Sequence, residues 1–143
     1  MVYLDTSFIA PLVIAEDSSD AVEAYVLKLK PREVTTSLWT QVELASLVSR
    51  KLRMGEFSGA EADAVRAEFD RVLSESFELL LPTAPDFVTA AKYLETPGTG
   101  LRAGDALHLA IAVNHGARQI LTLDMGLIDA GRQMTLPVTR GIG

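Results

Sequence analysis

The chain has 143 residues, of which 48% are hydrophobic, enough to fill one core of ordinary size, so a single domain spanning residues 1–143 is expected. It contains no cysteine, which excludes a disulfide framework, a thiolate zinc site and cysteine nucleophile chemistry. A net charge of -6 and a pI of about 4.8 give no overall basic footprint for nucleic acid. No apolar run approaches the roughly 20 residues of a membrane span and no basic leader precedes one, so the expected setting is soluble and cytoplasmic.

Residues 2–4 read as a brief buried strand, and a mostly apolar helical stretch follows over 7–15, where Pro11 is tolerated only near the first turn. Residues 17–30 read as an amphipathic helix with Val22, Tyr25, Val26 and Leu29 on one side and Pro31 closing it. A short strand is expected over 34–37. The periodicity of Leu44, Ala45, Leu47, Val48 and Leu52 predicts a helix over 38–52, ending towards Gly55. A second helix over 58–74 opens with a capping-box pattern, Ser58 followed three residues later by Glu61. Residues 77–81 form an apolar strand stopped by Pro82, 86–94 a helix, and 97–100 a loop. A helix over 103–113 turns out at Gly116, and strands over 119–123 and 136–138 complete the set.

Nearly apolar strands alternating with helices predict a three-layer α/β/α sandwich around a parallel sheet, whose ligands bind at the carboxyl edge. Asp5 and Asp124 each directly follow a predicted strand. Glu43 falls in the second turn of the helix after the second strand, and Asp105 in the first turn of its own helix. In each case one acid stands where strand gives way to helix, so all four are expected at the same edge.

Each acid also has a plainer reading. Asp5 and Asp124 suit helix N-caps, and Glu43 suits a solvated pair with a neighbour on its helix. Asp105 is harder to dismiss, because residues 106–113 are apolar almost all round the helix and buried acids are rare unless paired or coordinating. Taken together, the acids crowd one edge. Two such charges about 4 Å apart repel by roughly 4 kcal/mol at an effective dielectric of 20, so the crowd calls for a counter-charge or raised pKa values. A divalent cation is the simplest counter-charge, and oxygen-only ligation favours Mg2+ or Mn2+ over zinc. Ions of this kind activate water and neutralise charge on a phosphodiester, making phosphoryl hydrolysis the expected chemistry. They also reverse the local sign, leaving basic residues to touch a nucleic-acid backbone. Lys28, Lys30 and Arg32, and Arg50, Lys51 and Arg53, are the candidates, with solvated helix ends as the equal alternative.

At this point the residues resemble the PIN-domain nucleases, and within them the VapC-like toxins of toxin-antitoxin pairs. The resemblance rests on Tyr3-Leu4-Asp5-Thr6-Ser7, on Glu43 within Thr40-Gln41-Val42-Glu43-Leu44, on the segment from Arg102 through Asp105 and His108 to Ala110, and on Leu121-Thr122-Leu123-Asp124. It covers the whole chain. It implies a parallel sheet of about five strands, dependence on Mg2+ or Mn2+, and hydrolytic cutting of RNA. Carried over position by position, Asp5, Glu43, Asp105 and Asp124 become the catalytic and metal-holding acids. Thr6, Ser7 and Thr122 become supporting hydroxyls on the substrate side. Arg102, beside Asp105 in sequence, is expected to hold a phosphate or neutralise Asp105. The resemblance further implies an antitoxin partner, a homodimer, and a packing or hydrogen-bonding role for His108. Trp39 is expected in the core and His115 on the surface. The rival expectation is a catalytically silent binding module acting through protein partners. A receiver-like phosphorylation pocket is weaker still, since paired acids after the first strand are missing.

Overall fold

Side chains along a strand alternate between the two faces of a sheet, and in β1 (Val2–Leu4) both faces are covered. Val2 and Leu4 join one apolar core and Tyr3 joins another, all three fully buried. This is the signature of a central strand in a three-layer molecule. A computed structural model describes Met1–Gly143 and places β1 between β2 (Val34–Ser37) and β4 (Gln119–Leu121). With β3 (Glu78–Leu80) and β5 (Val138–Thr139) at the edges, the sheet has five strands in the order β3-β2-β1-β4-β5, all parallel. The register aligns Tyr3 with Thr35 on one side and with Ile120 on the other.

Seven α-helices cover the faces: α1 (Thr6–Ile9), α2 (Ser19–Val26), α3 (Leu38–Arg53), α4 (Gly59–Ser76), α5 (Ala84–Leu94), α6 (Ala103–Asn114) and α7 (Met125–Gln133). Residues of α1 to α4 pack on the Val2 and Leu4 face, those of α5 to α7 on the Tyr3 face. The expected α/β/α sandwich is therefore present. No helix is long and apolar enough to cross a membrane.

Several elements differ from the expectation. The stretch predicted as one helix over 7–15 splits into α1 and a 3-10 turn (Ala10–Leu12), because Pro11 cannot donate into a continuing α-helix. The helix predicted over 17–30 is shortened to α2. Residues 122 and 123 leave β4 when the Leu123 amide turns to the Ser7 hydroxyl, 2.9 Å away. No element is expected between 123 and 136, yet α7 lies there. Asp105 does not follow a strand either, since α6 enters from α5 through the 95–102 loop. Finally, β2 is not apolar. Thr35, Thr36 and Ser37 are fully buried, and the two threonine hydroxyls donate to the carbonyls of Val2 and Leu4 at 3.0 and 2.8 Å.

The chain moves outward from β1 through β2 to β3, then crosses to β4 and β5 on the other side of β1. The reversal places the topological switch point between β1 and β4, and a crevice opens there at the carboxyl ends of the strands.

Candidate functional site: a carboxylate cleft

Asp5 leaves β1 at that crevice and caps α1, its Oδ1 accepting from the Phe8 amide at 3.1 Å and the Ser7 hydroxyl at 2.7 Å. Its Oδ2 accepts from the Thr122 hydroxyl at 2.6 Å, across the gap between β1 and β4. Asp124 caps α7, its Oδ1 accepting from the amides of Gly126 at 2.8 Å and Leu127 at 3.3 Å. Both aspartates are therefore helix caps, and both also lie on the lining of the crevice. Glu43 comes from the second turn of α3, and Asp105 from the first turn of α6. All four acids line one open cleft of about 460 Å³. A second cavity, walled by Trp39, Leu101 and Arg102, continues from Glu43, Asp105 and Asp124. In this conformation no three acidic or imidazole side chains converge tightly enough to hold an ion between them.

The electrostatics show how crowded the cleft is. Burial holds the Asp5 carboxyl above its ordinary value, against the hydrogen bonds from Thr122, Ser7 and Phe8. Burial also raises Asp105, and repulsion from Asp124 adds to it. Burial acts to raise Glu43 too, but the hydrogen bonds from His108 and Thr6 outweigh it and hold this carboxyl below its ordinary value.

The expected hydroxyls all touch the acids. Thr6 donates to Glu43 Oε1 at 2.6 Å, Ser7 and Thr122 lie 3.0 Å apart while both donate to Asp5, and the Thr122 hydroxyl also accepts from the Asp124 amide at 3.1 Å. Thr122 is fully buried, so its hydroxyl serves the carboxylates. Arg102 is exposed at the start of α6 and makes no ion pair with Asp105. Arg50 lines the cleft, two turns along α3 from Glu43. Lys51 is engaged elsewhere, with Glu56 at 2.9 Å and over the Phe57 ring. Arg32 lies in the turn just before β2, and Tyr25 of α2 reaches Gln119 at the start of β4. The Lys28, Lys30 and Arg32 group is thereby placed at the amino edge, away from the acids.

Trp39 is half-buried in the cavity wall with its Nε1 enclosed and unpartnered, and His115 is half-buried, Nδ1 donating to the Ile111 carbonyl at 2.7 Å. Trp39 packs at the margin of the core on the Tyr3 face, close to its expected place, while His115 departs from the surface expectation. Gly104 has a packing reason invisible in the sequence, since a Cβ there would stand 3.1 Å from Glu43 Oε2. His108 is 1% exposed and hydrogen-bonds Glu43 through Nε2.

Comparison with known proteins bears on this cleft. The family model described as "PIN domain" matches residues 2–133. The chain is 34% identical to Ribonuclease VapC35 of Mycobacterium tuberculosis, over 96% of this chain and 95% of that one. Among solved structures, FitAcB from Neisseria gonorrhoeae superposes with a TM-score of 0.77 at 22% identity, covering 99% of this chain and 98% of that one. Mycobacterium tuberculosis VapC20, described as a sarcin-ricin loop cleaving toxin, superposes with a TM-score of 0.72 at 22% identity, covering 92% and 95%. The switch-point carboxylate cleft, the matched residues and the full-length relative together make this chain a member of the PIN-domain family.

Proposed function

We propose that the chain is a divalent-metal-dependent endoribonuclease that acts as the toxin of a toxin-antitoxin pair. The observation that carries the reading is the meeting of Asp5, Glu43, Asp105 and Asp124, from four separate stretches of chain, in one cleft at the switch point. Burial raises Asp5 and Asp105, and repulsion from Asp124 adds to the rise of Asp105, an electrostatic state that a cation relieves. The 34% identical relative bears the name of a ribonuclease, which supports RNA as the substrate.

The donor set fits Mg2+ or Mn2+. It is all oxygen, and such ions retain several waters, so the carboxylates need not close on one point unaided. Asp5, Glu43, Asp105 and Asp124 would hold the ion, which supplies activation of water and neutralises charge developing on the scissile phosphodiester. The chain's own groups do the orienting. Ser7, Thr122 and the Phe8 amide lock Asp5 in one rotamer, and Thr6 fixes one oxygen of Glu43. Arg50 and Arg102, on opposite sides of the acids and free of ion pairs, touch the phosphates flanking the cut. Partners under this reading are RNA, an antitoxin protein that blocks the cleft, and a second copy of the chain.

The test is cleavage of RNA by purified protein in millimolar Mn2+ against the same reaction in EDTA. Cleavage is expected only with Mn2+, and undiminished cleavage in EDTA would overturn the metal dependence. The absence of a tight three-ligand cluster favours a second reading, the silent binding module. It predicts no cleavage and a melting temperature that Mn2+ leaves unchanged, whereas an ion that binds only the folded state must raise it.

A further inference from the structure

We propose that Tyr3 is a positioning residue for Glu43, acting through His108 and anchored at its far end by Ser37. The proposal rests on the metal-dependent nuclease reading and extends it to residues that touch neither ion nor RNA. Tyr3 is fully buried in the core beneath α6, where phenylalanine would fill nearly the same volume. Its hydroxyl is instead placed between two polar atoms, 2.9 Å from Ser37 Oγ and 2.8 Å from His108 Nδ1. The Tyr3 and His108 rings meet edge-on with centroids 5.8 Å apart. On its other side, His108 Nε2 bonds Glu43 Oε1, the same oxygen that accepts from Thr6.

The direction of these bonds follows from what each group can do. An ionised carboxylate only accepts, so Nε2 carries the proton and donates to Glu43. In the neutral ring Nδ1 is then an acceptor, which Tyr3 satisfies, and Tyr3 in turn accepts from Ser37. One chain of donors thus runs from β2 through β1 and α6 to α3. Its end effect is on a long side chain that is 31% exposed and would otherwise sample several rotamers. With Oε1 held twice, Oε2 is the free oxygen, beside Gly104 in the turn of α6 that carries Asp105. Outer partners of this kind orient metal ligands, and removing one typically weakens metal affinity or activity by about tenfold to a hundredfold.

The test measures Mn2+ affinity by calorimetry for wild type, Tyr3→Phe, Glu43→Gln and the double variant, with kcat and KM on RNA alongside. Tyr3→Phe is expected to weaken Mn2+ by about tenfold or more with KM for RNA unchanged, and to add nothing in the Glu43→Gln background. A merely structural role for Tyr3 weakens binding equally in both backgrounds, and that result, or wild-type affinity in Tyr3→Phe, overturns the proposal. Ser37→Ala shortens the chain at its far end, so a smaller loss in the same direction is expected even if Tyr3→Phe folds poorly; no loss counts against it. Ring 15N spectra of the metal-free protein give a second readout. An Nε2-protonated His108 is expected in wild type and a mixture of tautomers in Tyr3→Phe, while the reverse tautomer in wild type contradicts the donor chain. Wild type that neither binds Mn2+ nor cuts RNA refutes the nuclease reading itself, a result distinct from a Tyr3→Phe that binds normally.

Discussion

Asp105 bears most of the cleft's repulsion with none of the hydrogen bonds that steady Asp5. Desolvation and the neighbouring Asp124 both oppose its charge. Asp105→Asn is therefore expected to raise the melting temperature of the metal-free protein, to abolish the gain from Mn2+, and to lower kcat by about a hundredfold or more, the scale of losing one preorganised electrostatic group. Thermal melts with and without Mn2+ check the first two. Because the carboxyls of Asp5 and Asp105 lie above their ordinary 3.8, the stability they contribute is complete below that value and is lost as pH rises through the folded-state values. Glu43 runs the other way, its contribution present above its ordinary 4.5 and lost on acidification. Protons and metal compete for the same oxygens, so the gain in melting temperature on adding Mn2+ is expected to be larger near pH 7 than near pH 5. An equal gain at both contradicts it. The placement of Asp5, Asp105 and Asp124 at element ends is legible in the sequence, whereas Glu43, in the second turn of α3, joins them only through the fold. Their supports are only half legible. The links from Tyr3 and Thr6 to His108 and Glu43 join residues 37 to 105 positions apart, and no local pattern encodes them.

Elements succeed or fail to show themselves according to how much of their stability is local. The capping box of α4 is written in Ser58 and Glu61 and is found as expected. The last helix, α7, carries Gly126 and Gly131, which weaken any propensity signal. Its glycine is required by packing: a Cβ on Gly131 would meet Val138 Cβ at 2.7 Å, so α7 and β5 pack too closely for alanine. Gly131→Ala, which in an exposed helix gains about 1 kcal/mol, is here expected to destabilise by about 1–3 kcal/mol in a denaturant titration. On α3, Glu43, Ser46, Leu47 and Arg50 share the face that lines the cleft. Arg50→Ala is expected to raise KM for RNA and flatten its salt dependence, while Arg32→Ala, at the opposite edge of the sheet, changes neither. Equal effects of the two would remove Arg50 from the RNA path.

At the scale of the molecule, the alternation of elements made the architecture legible, while the strand order did not follow from it. Only the reversal between β1 and β4 explains why Asp5 and Asp124, 119 positions apart, share a crevice bridged by the Thr122 hydroxyl. Under the proposed metal-dependent reading, an acidic chain with a net charge of -6 would engage a polyanion through a local reversal of sign at this crevice. The central claim is that the cluster cuts RNA and that each acid is required. It is tested most directly by sequencing the RNA ends generated in Mn2+ by wild type, Asp5→Asn and Asp105→Asn. New ends are expected with wild type alone, and full cleavage by either variant, correctly folded by its melt, contradicts the assignment of the cleft.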